Sequence, residues 1–485
     1  MKAFSSLYLM LWGCGLIGPG FLAMPVFAQN AEEVQELQRV IDAQQRQLEA
    51  QQKQLDAQMQ LLQDLQKQME SLGKDVSTAG EVTASEKPST EPVPDAVQAP
   101  QVQSSLSYLS LYDGDHPMNV NVIPVRSEMS IPVPGTNTQL GVHGIAQFQM
   151  IHDTNGINAN EFDVFLIPAG GAPSQTKFSV NPSHFAISSN TTTSTGRMNT
   201  FFALDFNGEL NTAVPRLRLF FGEFIKEDWG LAILAGQAFG TMLDLRSVPE
   251  TTDFAGPSGY FARRHPILRI TKSLAEGVIA EVAIETPEDA GYRNAATLTR
   301  WPDLVVAGNW LARGKYLNSL RVAGLLRDLR AEGTNGSTDS ALGWTVNGSG
   351  SLILPWFSDK DNFKFGVQYG YGYGFSIKSG PADAVFDLDT SELRTLGVFS
   401  TYGGLQHWWT DLFRSSLVFG YVNVDNPAFI DGEAMENNIY LAGNFVRNIN
   451  KDLTVGLEYL WGQRENKDGS SGANHRVVFT SRFDF

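Results

Sequence analysis

Cysteine is almost missing: one of 485 residues, Cys14, is a cysteine. It lies in an N-terminal apolar stretch, so a chain that loses this stretch has neither a disulfide nor a thiolate nucleophile. Basic charge is also short, with 36 Lys and Arg against 52 Asp and Glu, a net charge of -16. That balance excludes a nucleic acid held by phosphate neutralisation. Charged residues are only 18% of the total, below a typical soluble protein. No segment beyond residue 28 reaches the roughly 18 apolar residues that a membrane helix needs. The histidines at 116, 143, 152, 184, 265, 407 and 475 show no metal-ligand spacing. A hydrolase built into a strand would place Ser two residues from an activating His on one face, and Ile145, Ala186, Ile267 and Val477 stand there instead. No cofactor is called for.

What the chain has is 46 Gly, 30 Phe, 13 Tyr and 9 Trp, a composition of strands and tight turns. Residues 1–28 read as a cleaved export signal, with Lys2 before the apolar run and Val26-Phe27-Ala28 at its exit. A lipidated Cys14 is the competing reading, opposed by the bulk of Trp12 and by the apolar residues beyond it. Residues 29–73 repeat in sevens. Val34, Ile41, Leu48, Leu55, Leu62 and Met69 take one core position; Leu37, Gln44, Gln51, Gln58, Leu65 and Leu72 take the other. This predicts an α-helical coiled coil about 58 Å long, whose seam calls for identical partner chains; a solvated single helix is the alternative. Residues 74–138, rich in Pro, Ser and Thr, read as a linker.

From Gln139 to Phe485 apolar and polar residues alternate with period two, in sixteen segments separated by connections that are alternately long and short. The fold class expected is an all-β transmembrane barrel of about 16 antiparallel strands, preceded by the coiled coil. An even strand number returns both ends of the barrel to the periplasmic side of a Gram-negative outer membrane. The last strand, HRVVFTSRFDF, puts Val477, Phe479, Phe483 and Phe485 on one face. A soluble edge ending so would aggregate, and Phe483 with Phe485 resembles the signal read by the barrel assembly machinery.

Arginine facing lipid at midplane costs roughly 2–4 kcal/mol, so charges within strands are expected to point inward. Parity assigns eleven inward cations, Arg197, Arg216, Arg218, Arg263, Arg269, Arg321, Arg327, Lys364, Arg414, Arg476 and Arg482, against five inward anions, Asp205, Glu281, Glu285, Glu458 and Asp484. A guanidinium-lined lumen concentrates small anions; the competing role for these arginines is to brace the wall by pairing. The connection Gly240–Phe261 is long enough to fold inward as a constriction, setting Asp244, Arg246, Glu250 and Asp253 opposite the arginine wall; otherwise it lies over the rim.

The chain resembles the DcaP-like trimeric porins. The residues that carry the likeness are Pro134-Gly135-Thr136-Asn137-Thr138, Leu204-Asp205-Phe206, Arg216-Leu217-Arg218, Gly236-Gln237, the stretch from Pro249 to Pro257, Gly456-Leu457-Glu458-Tyr459 and Trp461-Gly462-Gln463-Arg464-Glu465. The resemblance implies a sixteen-stranded homotrimer in outer-membrane lipid that passes small anionic solutes, dicarboxylates among them. It departs from the family at Ala238-Phe239-Gly240-Thr241, where relatives tend to carry an aromatic, Ser and Thr. A plugged, envelope-spacing or adhesion barrel and a barrel hydrolase are the alternative functions.

Overall fold

A computed structural model describes residues 130–485, apart from 210–211, 288–291, 314–316 and 356–357. The expected signal, coiled coil and nearly all of the linker lie outside the described residues. Sixteen strands form the wall: β1 (Thr138–Asp153), β2 (His184–Thr192), β3 (Arg197–Asp205), β4 (Arg216–Lys226), β5 (Leu231–Phe239), β6 (Arg264–Ala275), β7 (Val278–Glu285) and β8 (Asp303–Arg313). They continue as β9 (Leu317–Gly333), β10 (Thr338–Ile353), β11 (Asn362–Tyr371), β12 (Gly397–Trp408), β13 (Phe413–Asp425), β14 (Met435–Asn448), β15 (Leu453–Asn466) and β16 (Ser471–Asp484). Each pairs antiparallel with its sequence neighbours, and β16 closes on β1 through Ala146↔Phe483 to Asp153↔Arg476. Closure leaves no unpaired edge, the condition for crossing a bilayer with strands.

Alternation along the strands sorts the side chains. In β1 Leu140, Val142, Phe148 and Met150 are exposed on the outer face, while His143, Gln147 and Gln149 are buried within. On β10 and β11 Trp344, Tyr369 and Tyr371 form an outer aromatic cluster with ring centroids 5.9 to 6.1 Å apart. At the opposite end Phe363 stacks on Phe365, and Phe413 on Phe445. Two aromatic belts flanking an apolar band fit the two interfaces of a membrane.

The terminal phenylalanine closes the seam in a specific way. Gly144 donates its N–H to the Phe485 carbonyl at 2.7 Å and accepts from the Phe485 N–H at 2.9 Å. A Cβ at Gly144 would lie 2.2 Å from the Phe485 ring. The ring therefore occupies the space over a strand position that only glycine leaves open.

Two long connections expected outside the wall are instead mostly wall. The strands on either side extend and leave only turns at 334–337 and 467–470. β9 and β10 reach 17 and 16 residues, beyond the 9–11 or so that a tilted strand needs to span a bilayer. Their extension is stabilised from inside: Leu329 and Ala331 pack with Ala384, Phe386 and Leu393 of a hairpin (384–387 with 392–395) in the connection 372–396. β12 starts at Gly397, directly after this hairpin. At the other end, Ser130–Pro132 of the stretch read as linker pairs with Gln139–Gly141.

Candidate functional site: the lumen and its outer cavity

The connection 240–263 does not lie over the rim. Its residues from Gly240 to Phe261 are almost all buried, and its polar groups bond to the inner wall of β1, β7 and β9 to β16. Arg321 Nη2 donates to Thr241 O at 2.5 Å, Ser349 to Asp244 at 3.0 Å, Lys364 Nζ to Val248 O at 3.2 Å, and Gln149 Nε2 to Thr252 O at 2.9 Å. Thr252 and Asp253 donate their N–H groups to Glu458 at 2.9 and 2.7 Å. A groove of wall glycines receives the loop: a Cβ at Gly404, Gly420 or Gly456 would meet Pro249, Ser258 or Thr252 at 2.5 to 2.7 Å. The connection 154–183 also folds inward, packing Ile157, Phe162, Val164 and Ile167 on Val418, Tyr440 and Leu460.

These loops change the electrostatic account of the wall. Arg414 forks onto Glu250 at 2.6 Å through both Nε and Nη2. Arg476 takes Asp153 at 2.7 Å and Asp253 at 3.3 Å. Arg327 bridges Asp303 and Asp383 at 2.6 and 2.7 Å, Arg321 binds Glu281, and Arg482 binds Asp484 at 2.7 Å. Arg216 and Arg218 share Asp205 at 2.8 and 3.0 Å. Arg269, 5% exposed, feels Glu281 at longer range. Eleven inward cations therefore do not face only five carboxylates: Asp153 and Asp303 at the strand ends and Glu250, Asp253 and Asp383 in the loops also pair with them. Loop carboxylates also touch the wall cations directly instead of facing them across water. Asp244 is turned to Ser349 and to the Arg246 N–H at 3.1 Å. A buried guanidinium left unpaired would be far costlier than such a pair.

The predicted lining residues therefore separate into two groups. Arg218, Arg321, Arg327 and Arg414 are inward but buried in these networks; Arg218 is further covered by Phe239 and Phe254, with its guanidinium 5.7 and 5.2 Å from their ring centroids. Arg216 and Arg263 instead line an open cavity of about 560 Å³ at the long-loop end. The charged residues described around it are Arg216, Arg263, Arg264, Arg293 and Lys378 with Glu161, Asp163 and Glu209. Its floor comes from Phe239, Leu243, Leu245 and Phe254. Arg263 donates to Phe375 O at 2.9 Å and stacks on that ring at 4.4 Å. Arg197 stands at the turn 193–196, at the other end of the barrel.

Loop groups carry shifted protonation. Burial would raise the Glu161 carboxyl, but the Lys378 ammonium at 2.5 Å outweighs burial and holds it below the ordinary range. Burial would lower Lys378, and Glu161 with Asp163 outweigh that and push it up. Burial pushes Asp253 up, only partly offset by Arg476.

Two features escaped the sequence. Parity places Arg264 on the lipid face, yet it lines the cavity from the first position of β6, opposite Phe239, with its guanidinium 5.2 Å from that ring's centroid. His143 Nε2 lies 3.1 Å from Ser188 Oγ, a cross-strand pair that spacing within one strand does not reveal. No cavity described here is lined by either residue. Tyr373 is buried and donates to Val398 O at 3.0 Å. Among the described residues no cluster of His, Cys, Asp and Glu has metal-binding geometry.

No protein-family model and no curated protein matches the sequence. Solved structures do. The outer membrane channel DcaP of Acinetobacter baumannii superposes with a TM-score of 0.66 at 18% identity, over 73% of this chain and 99% of that one. An anion-selective porin from Comamonas acidovorans gives 0.52 at 10% identity, over 72% and 100%. In fold, residues 130–485 form a DcaP-like porin barrel.

Proposed function

We propose that the chain is an outer-membrane porin for passive diffusion of small anionic solutes, dicarboxylates included, assembled as a homotrimer through barrel and coiled coil. The observation that carries this reading is the outer cavity, where the guanidinium groups of Arg216, Arg263 and Arg264 meet in a closed barrel with an apolar exterior. Fixed cations at a channel mouth raise the local anion concentration. The inward loop 240–263 is the constriction in this reading, and Asp244, Arg246, Glu250 and Asp253 fix its path along the wall. Phe483 and Phe485 serve as the assembly signal. The filling of the lumen by loops favours the plugged-barrel alternative, and one measurement separates the two. In planar bilayers under a potassium chloride gradient, the wild-type zero-current potential should have the sign of anion preference, and R263E/R264E should move it toward cation preference. Absence of conductance supports the plug; a conducting channel whose potential ignores the double substitution overturns the assignment of the mouth.

A further inference from the structure

The geometry points to a binding subsite on the cavity floor for monocarboxylates with a bulky apolar body, aromatic or alicyclic. This rests on the anion-channel reading and narrows it. A path for small hydrated ions gains nothing from apolar walls, because an ion loses hydration there without compensation. Yet the floor is Phe239, Leu243, Leu245 and Phe254, and Ile430 and Met435 also line the cavity. A volume of about 560 Å³ that joins an apolar floor to charged side chains is within the range of a small-molecule site.

The cation for such a ligand is Arg264. Its guanidinium sits over Phe239 at 5.2 Å, and its Nη1 is buried without a hydrogen-bond partner. Among the described residues no carboxylate lies within ion-pair distance of it, and Asp205 and Glu161 act on it only at longer range. An anionic group bound to Arg264 would thus lie beside an aromatic face, with apolar surface adjoining. The cavity's lysine is already engaged: Lys378 holds Glu161 at 2.5 Å and Asp163 at 3.7 Å. A second carboxylate on the ligand would meet Glu161 and Asp163 there, and the other cations are engaged as well, Arg216 with Asp205 at 2.8 Å, Arg263 with Phe375 O at 2.9 Å and Arg293 with Asp431 at 3.9 Å, so at this floor one negative charge fits better than two.

The test is equilibrium dialysis of the full-length detergent-solubilised protein against labelled benzoate, cyclohexanecarboxylate, acetate and succinate. Benzoate and cyclohexanecarboxylate should half-saturate at concentrations at least about tenfold below acetate and succinate. Arg264→Gln and, separately, Leu245→Ser should each weaken benzoate about tenfold, with heat-modifiable gel migration verifying the folded barrel. Equal retention of benzoate and acetate by the wild type overturns the subsite, as does benzoate binding that neither substitution changes. Bilayer recordings keep the two ideas apart. Anion-selective current without benzoate preference defeats the subsite alone; benzoate preference without current defeats the channel alone.

Discussion

At the residue scale the molecule turns on buried charge. Glu250 receives both arms of Arg414 and a hydrogen bond from Gln406, with Arg414 and Glu250 2% and 8% exposed in their side chains. Replacing Glu250 by Leu strands a guanidinium, at about 3–5 kcal/mol for a broken buried pair. Glu250→Leu should therefore lower the thermal unfolding midpoint in detergent, whereas Glu250→Leu with Arg414→Met should restore much of it. Equal midpoints for the single and double variants would argue against a buried pair. Gly144 presents a steric limit instead: Gly144→Val drives a side chain into the Phe485 ring. Folding into lipid vesicles, followed by gel migration, should slow or stall.

At the scale of elements, the loop 240–263 is held by shape as much as by bonds. Gly420 faces Ser258 so closely that Gly420→Val must displace the loop. Single-channel conductance should change in this variant, and an unaltered value would contradict the loop as the constriction. The contact between the connections 154–183 and 372–396 depends on pH through Glu161. Its carboxyl is held below the ordinary 4.5 by Lys378. A depressed carboxyl contributes stability that is complete above its unfolded value and is lost as the pH falls through the lowered folded one. Hydrogen exchange in both segments should accordingly rise on acidification below about 4.5, and Glu161→Gln should remove that dependence.

At the scale of the whole molecule, barrel and heptad segment are expected to act separately. Removing Val34 to Leu72 should weaken subunit association in gentle detergent and leave individual channels conducting. Full loss of conductance would show that the two regions are not separable. The sixteen wall strands make their hydrogen bonds with adjacent strands, and strand closure through Gly144 and Phe485 lies within the barrel.

The sequence by itself determined the sixteen strands, the inner and outer faces over most of their length, and the inward sense of Arg218, Arg321, Arg327 and Arg414, because period-two alternation is local and lipid penalises charge strongly. Strand lengths at the outer rim were harder to read, since Leu329 and Ala331 extend the wall only when a distant hairpin covers them. Which arginines meet the open cavity was decided by tertiary structure alone. Glu250 and Arg414 are 164 positions apart, and Asp253 and Arg476 are 223 apart, so no spacing rule joins them. Arg264 shows the same limit from the other side: it opens β6 where the chain returns from the inward loop, and the cavity there, not the alternation of the wall, sets its surroundings. Local periodicity sets which way a side chain points, whereas the folded loops set what it meets there.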